Sequence, residues 1–550
     1  GPDGESLLLW DVTDPASATS LAGTAAGSAT TYGFLRDPAT DLHLVAAVPQ
    51  DLLQIASGAV ARPVPLRNEP VDLDYLAVHA PEFAGPAQDL AAYHATSLPG
   101  VAAPRSAAVS VQDIYDNFSG GQKDPLAIRN YLKYVFENSG NRLRFACFLC
   151  NTSRDFRNYK NPDPALDLYD FLPTELRTSY PTFPASYSDR AYATDDGLVS
   201  FDTGSWGDLD LPDLACGRLA ASSVAEAQGL VDRAISYAAS PEPGLWRNRV
   251  LMTADDCVTF SSWPDPISSE NAHTEQAEVI SNSYLPRSLD TVKLYGVAYD
   301  FPPSSRVKPA LRADINNELG RGATIFYYVG HGAEDNLADE QIFQSRDITN
   351  LTNDMMRPVF IAFSCDVGVF DSPSRLSMAE QFTLAENGGA IGAICASQVS
   401  FVTPNDLLSN AFFENLYPAG RIDGAVTPAD ALLAGKNTIS SYYQANSQRY
   451  NFLGDPGMAL AQPPDDLVFT AASLDTLKAG LLQSAVVDAA SGGSLVGAGD
   501  SYDLLVLDSA YDYGYVKALR DSLIAPGEYV EVPVWDTFTA WGAPVFAGTG

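Results

Sequence analysis

Between residues 72 and about 462 the chain alternates short apolar runs with amphipathic stretches of helical period, and this alternation constrains the fold more than any other feature. Apolar runs at Tyr75 to His79, Ala107 to Val111 and Leu143 to Leu149 are separated by two helical patterns, one near 84 to 96 and one opened by Asp124-Pro125. In the second, Asp is the N-cap and Pro the first helical residue, and Leu126, Ile128, Tyr131, Leu132, Val135 and Phe136 fall mostly on one face. Strand, helix, strand, helix, strand predicts a doubly wound parallel sheet.

A loop-rich stretch to about 222 and a helix through Ala225 to Tyr237 lead to SPEPG (240–244), a Pro-Gly cluster that marks a joint between two α/β subdomains, 72–240 and 241–462. The second subdomain has predicted strands at Val250 to Ala254, Val292 to Val297, Thr324 to Val329, Val359 to Phe363 and Ala390 to Ile394, with Val307, Ala310, Leu311, Ile315 and Leu319 at helical spacing between the second and third. Residues 1–71 form short β segments such as LLLWDVTDP and DLHLVAAVP, which predicts a β-rich leading domain. Residues 463–550 (LVFTA, SAVVDAA, YDLLVLDS, YVEVPVW) have the short strands and Gly-rich turns of a β-sandwich.

Composition narrows the function classes. With 46% hydrophobic residues among 550, the chain must build sizeable cores. Lys+Arg total 33 against Asp+Glu 68, a net charge of -35, which argues against a phosphate backbone or an anionic membrane as the main partner. No apolar stretch approaches the ~18 residues of a membrane helix. The start, GPDGESLLLW, lacks an initiator Met and a signal-peptide pattern, so Gly1-Pro2 is read as an artificial scar, and the end on a strand-like FAGTG predicts that the natural protein continues. Six cysteines are too sparse for a disulfide framework, and the CxxC of Cys147 and Cys150 lies in the apolar run RFACFLCN, which predicts core thiols.

In open α/β sheets ligands collect at the carboxyl ends of strands. Three predicted strands end in reactive side chains: Thr324 to Val329 in Gly330-His331-Gly332, Val359 to Phe363 in Ser364-Cys365-Asp366, and Val250 to Ala254 in Asp255-Asp256. A Cys, a His and a carboxylate are the parts of a nucleophile, its base and the group that orients the base. Glycines beside His331 let the backbone approach a substrate, and the N–H groups of Gly332 and Cys365 are candidate oxyanion donors. Taken singly, Cys365 is equally a small core residue and His331 a satisfied loop histidine. Together, at the ends of predicted neighbouring strands, they are expected to face one shallow cleft.

The segments YYVGHG (327–332) and FIAFSCDVGVFD (360–371), with DIYDNFSGG (113–121), DPLAIRNYLKY, WRNRVLMTADD (246–256), GGAIGAICAS (388–397) and NFLGDPGMAL (451–460), resemble in order the gingipain-type cysteine peptidases over about residues 72–462. The resemblance implies an α/β, caspase/gingipain-like core of two side-by-side subdomains with mainly parallel sheets, preceded by a β-rich domain and followed by an immunoglobulin-like β-sandwich. Within the family the wording is most similar to the PorU branch, the sortase-like peptidases of type IX secretion. That branch implies protein substrates with C-terminal sorting domains, cell-surface or outer-membrane secretion components as partners, a surface glycolipid as acceptor, and a secreted protein at a bacterial cell surface.

The resemblance further makes Cys365 the nucleophile, His331 the base and Asp255 the acidic partner of the His, with Asp256 as the alternative and a turn-capping role as the plain reading of Asp255. His273 aligns with an acidic specificity residue of Arg- and Lys-cleaving gingipains, Glu270 and Glu275 lie close by, and Gln398 and Phe401 complete the candidate substrate-binding set. A helix-facing His273 and a core Phe401 are the plain alternatives. No cofactor is required, and there is room for structural calcium. Two rival functions stand beside the sortase reading: a secreted degradative protease, and a non-catalytic surface scaffold that keeps the peptidase fold.

Overall fold

The computed structural model describes residues 8–14, 17–26, 29–32, 41–48, 64–68, 71–157, 159, 172–178, 191–201, 211–259, 261–463, 467–472, 487–491, 494–495, 503–507, 511–525, 528–540 and 544–549. The chain divides into two units, Gly1–Val64 and Pro65–Gly550. In the first, strand Leu8–Asp11 pairs antiparallel with Thr19–Leu21 and Leu44–Ala47, and Gly23–Ala26 pairs with Ala29–Tyr32.

Two larger sheets organise the second unit among the described residues. One contains β1 (Tyr75–His79), β2 (Ser106–Ser110), β3 (Phe145–Leu149) and β4 (Ala215–Leu219), all parallel, in the order β4-β3-β1-β2. The other contains β5 (Arg249–Ala254), β6 (Asp290–Tyr295), β7 (Ile325–Val329), β8 (Val359–Phe363), β9 (Gly392–Ala396) and β10 (Tyr450–Leu453). Its order is β6-β5-β7-β8-β9-β10, parallel except for antiparallel β10.

The central strands β7 and β8 are apolar throughout because both faces are covered. Along β7, Ile325, Tyr327 and Val329 enter one core while Phe326 and Tyr328 enter the other. Along β8, Val359, Ile361 and Phe363 share the first core, and Phe360 and Ala362 the second. This period of two fixes which face each following loop residue inherits. The helix Pro125–Asn138 starts as its sequence predicts, with the Asp124 carboxylate accepting the Leu126 N–H at 2.9 Å. Cys147 and Cys150 are buried free thiols.

The two sheets meet edge to edge. A side chain at Gly217 of β4 would strike the backbone oxygen of Gly454, just past β10, and would press on Phe452 and Pro456, each 3.1 Å away. The sequence pattern leaves β4 within the loop-rich stretch, because it contains a glycine and an arginine. The arginine is the reason the strand holds. Arg218 is 0% exposed, grips Asp195 through Nε and Nη2 at 2.9 and 2.7 Å, and donates from Nη1 to the carbonyls of Cys150 and Leu172. Nearby, Asp455 of the NFLGDPGMAL segment accepts from Tyr75 Oη at 2.9 Å and pairs with His94 Nε2 at 2.7 Å, tying the end of β10 to the first sheet.

The C-terminal strands pair antiparallel, as a sandwich requires: Leu467–Ala472 with Val487–Ser491, Asp503–Leu507 with Pro544–Thr549, and Tyr511–Ala525 with Glu528–Ala540 in a long hairpin. Most of the residues that would pack one such sheet on another lie outside those described.

Breaking a buried pair strands the remaining charge. Arg218→Met therefore lowers unfolding free energy by about 3–5 kcal/mol, read from denaturant midpoints at unchanged m-value. A shift under ~1 kcal/mol would show that Asp195 finds water or another partner.

Candidate active site

Val329 of β7 is level with Phe363 of β8, and His331 and Cys365 each follow two residues past these paired strand ends. Ala254 of β5 is likewise level with Val329, and Asp255 and Asp256 follow directly after it. The sheet order changes direction between β5 and β7, so these loops frame the crevice where α/β sheets bind ligands.

The glycines around His331 serve close packing. Gly330 has φ +155°, and a side chain there would meet Tyr328 Oη at 2.5 Å and Asp255 Oδ2 at 2.9 Å. A side chain at Gly332 would run into Ser364 and would lie 3.1 Å from the Cys365 carbonyl. The close approach expected toward a substrate is thus made first to the neighbouring strand ends. The His331 backbone is pinned on both sides: its N–H donates to Asp255 Oδ2 at 2.9 Å, and its carbonyl accepts from Tyr328 Oη at 2.5 Å and from the Ala338 N–H at 2.9 Å. The N–H groups of Gly332 and Cys365 have no protein acceptor among the described residues, which suits oxyanion donors. Asp366, directly after Cys365, holds a left-handed φ of 57°, a strained turn for a non-glycine residue.

The side chains sort differently from the sequence expectation. Asp255 carries the His331 backbone, while the imidazole Nε2 pairs with Glu270 Oε2 at 3.0 Å. Asp256 is committed to Lys308, whose Nζ lies 2.5 Å from Oδ2. His273, buried in the first turn of the helix Ala272–Val279, brings its Nε2 to 3.5 Å from the same Glu270 oxygen, and its ring meets that of His331 edge-on at 5.5 Å. Gln398 accepts the Val399 N–H and reaches Ala191 of the first subdomain. The Phe401 N–H donates to Asn446 Oδ1, and its ring lies 5.7 Å from the Arg449 guanidinium. Cys365 is partly exposed; its Sγ exchanges hydrogen bonds of 3.4 Å with the backbone of Ser400. Ser400 carries no sequence signal for that contact. Glu270 does: Glu, then His three residues on, at a helix start.

Electrostatics follows from these contacts. The Glu270 hydrogen bond raises His331 to about 9 against the opposing effect of burial, with Asp255 and Asp339 adding to the rise. Glu270 in turn is held well below the usual carboxylate range by the hydrogen bonds from His273 and His331. Burial raises Cys365, opposed by the Ser400 backbone and by Arg449 and reinforced by Asp366. At neutral pH the pair therefore rests as thiol and imidazolium.

Among the described residues, two groups of acidic and histidine side chains have donor atoms within 4.8 Å of one another: Glu270, His273 and His331, and Asp255, Asp256 and Glu340. The second has the oxygen chemistry of a calcium site. Lys308 already places a positive charge there, and burial beside Asp255 and Asp256 raises Glu340 to about 9, so an ammonium and a retained proton offset two of the three carboxylate charges. Glu340 is 3% exposed.

The family model of peptidase family C25 matches residues 68–461. The chain belongs to peptidase family C25. Among solved structures, the Arg specific cysteine proteinase gingipain R (RgpB) is similar with TM-score 0.52 at 17% identity, over 75% of this chain and 83% of that one. The complex of Porphyromonas gingivalis RgpB pro- and mature domains is similar with TM-score 0.51 at 16% identity, over 72% and 82%. Dimeric latent PorU from Porphyromonas gingivalis gives TM-score 0.46 at 15% identity, over 100% of this chain and 45% of that one. Gingipain R thus scores above PorU, whereas the sequence wording pointed to PorU. No curated protein matches the chain. Family and fold together make this C25 member a gingipain-type cysteine peptidase with the caspase-like α/β architecture.

A Cys–His pair works after losing one of its two protons. With His331 at about 9, kcat/KM of this C25 peptidase should rise with pH through the neutral range, pass its midpoint near pH 9 and level off above it. Glu270→Gln should move that midpoint down toward the ordinary histidine value, ~6.5, and lower the plateau roughly 10²-fold. A pH–rate profile of both proteins checks this; a midpoint that stays in place in the variant would remove Glu270 from the site.

Proposed function

We propose that the chain is a cysteine endopeptidase that hydrolyses polypeptides through a thioester at Cys365, with His331 as base and acid and Glu270 as the carboxylate that orients the imidazole. The observation that carries the reading is that His331 and Cys365 each follow, by two residues, the paired ends of adjacent parallel strands. Glu270 takes Nε2 of His331, which leaves Nδ1 to exchange a proton with the thiol. The thiolate adds to the scissile carbonyl, the oxyanion faces the N–H groups of Gly332 and Cys365, and His331 gives the proton to the leaving amine as the C–N bond breaks. Water then attacks the thioester, His331 takes its proton, and the thiol is restored as the carboxylic acid leaves.

A second reading shares every step to the thioester and differs in the acceptor. The PorU-like wording of DIYDNFSGG and AFSCDVGVFD favours a sortase that removes C-terminal sorting domains at a bacterial cell surface and passes the new end to an amine on a surface glycolipid. Likeness of fold to gingipain R supports the hydrolytic reading. Both readings place a secreted enzyme outside the cell, and no helix among the described residues is long and apolar enough to cross a membrane.

Arg specificity belongs to gingipain R. In this chain His273 occupies the aligned position, Glu270 is bonded by two imidazoles, and Glu275 accepts from Asn271 Nδ2 at 2.5 Å. A cation in a specificity pocket needs a carboxylate to offset its desolvation, so uncharged residues are the expected choice before the scissile bond.

Cys365→Ala should abolish cleavage and labelling by a thiol-reactive peptide probe while the melting temperature holds, and the five other cysteines should label slowly. Equal labelling of both proteins would end the catalytic reading. Mass spectrometry of products from a peptide library and from a sorting-domain substrate, with and without added amine, separates hydrolysis from transfer. Strong enrichment of Arg or Lys at the new carboxyl termini would overturn the specificity expectation.

A further inference from the structure

Glu270 sits in an irregular loop, and an irregular loop does not by itself hold a carboxylate within 3.0 Å of an imidazole. The residue beside it does. Asn271 is 1% exposed, and its amide is fully used: Oδ1 accepts from Tyr515 Oη at 2.5 Å and from Cys257 Sγ at 3.5 Å, and Nδ2 donates to Glu275 Oε1 and to Asp536 Oδ2, the latter at 3.3 Å. Two of those four partners come from the C-terminal hairpin, more than 240 residues away along the chain. Tyr515 and Asp536 are direct cross-strand partners, as are Tyr513 and Phe538, so one hairpin face presents all four side chains.

That face is docked beyond Asn271. Phe538 meets the Tyr295 ring at 4.8 Å, Tyr513 Oη donates to the Ala298 carbonyl at 3.3 Å, and Lys293 Nζ donates to the Thr539 carbonyl at 2.8 Å. Tyr515 and Phe538 are both buried. The hairpin thus holds the loop that carries Glu270 through Asn271.

We infer that Tyr515 and Asp536 are positioning residues for the peptidase site: through Asn271 they fix Glu270, and through Glu270 they set the orientation and proton affinity of His331. The inference rests on the proposed Cys365–His331 pair. It makes the C-terminal hairpin a working part of the active site, so that the site is complete only when the hairpin is docked.

The groups facing His331 from every packed element are Glu270, His273, Asp255 and Asp339, none of them on the hairpin, so a hairpin variant reaches His331 only through the loop. Tyr515→Phe removes one hydroxyl and keeps the ring. The full chain carrying it should lose about five- to tenfold in plateau kcat/KM, the worth of one hydrogen bond, and the midpoint of its pH–rate profile should move down by a measurable fraction of the Glu270→Gln shift. Asp536→Ala, at a half-buried position, should act in the same direction and covers the case in which Tyr515→Phe fails to fold. In a Glu270→Gln background the Tyr515→Phe effect on the midpoint should vanish, since coupled residues are non-additive. Variants that lower the melting temperature yet leave the wild-type midpoint in place would overturn the inference, as would full additivity. Loss of activity in Cys365→Ala with an unmoved midpoint in both hairpin variants sinks this inference alone; an active Cys365→Ala sinks the catalytic reading beneath it.

Discussion

The parallel ladder through β5, β7 and β8 is the constraint on which the rest depends. Once Val329 is level with Phe363 and Ala254 with Val329, the loops that follow have no freedom to choose their neighbours. A one-residue slip of β7 would turn Tyr328 out of its core and send the His331 side chain to the opposite face. The aromatic residues make such a slip expensive, because Tyr327 packs among Phe363 and Phe413 while Phe326 stacks on Phe360 and meets Phe382 edge-on on the other side. The register is therefore enforced by two cores at once.

Above that ladder the site is held mostly by charge. Asp255 belongs to a buried group of three carboxylates and one ammonium, and one of its oxygens is given to the His331 backbone. Such a group is costly to bury unless each charge is matched. Lys308 and a proton retained on Glu340 offset two of the three charges, and the His331 backbone is held by one carboxylate while the imidazole is left to a different one. Backbone placement and side-chain orientation are thus assigned to separate acids.

Much of this was legible in the sequence. The strand ends bearing His331, Cys365 and Asp255 follow from apolar runs bounded by polar residues, and the Asp124-Pro125 helix start follows from capping chemistry. The family-like motifs told the order of the parts. What escaped were contacts made across long stretches of chain. Glu270 was visible as a nearby acid, but its partner depends on how the loop before Ala272–Val279 folds back, and that depends on Tyr515 and Asp536. Strand β4 was hidden because a fully buried arginine looks like a surface residue until Asp195 is found beside it. Local periodicity carries neither kind of information.

The close contact between Gly217 and Gly454 has a consequence beyond holding two subdomains together. β4 and β10 are each the last strand of their sheet, and an unpaired last strand is a template on which another chain can add. By setting these two borders against each other with no side chain between them at that point, the molecule shields from strangers the rows of backbone donors and acceptors that a free sheet would offer. The joint between the subdomains is also a guard against self-association, and a bulky residue at Gly217 would open both borders together.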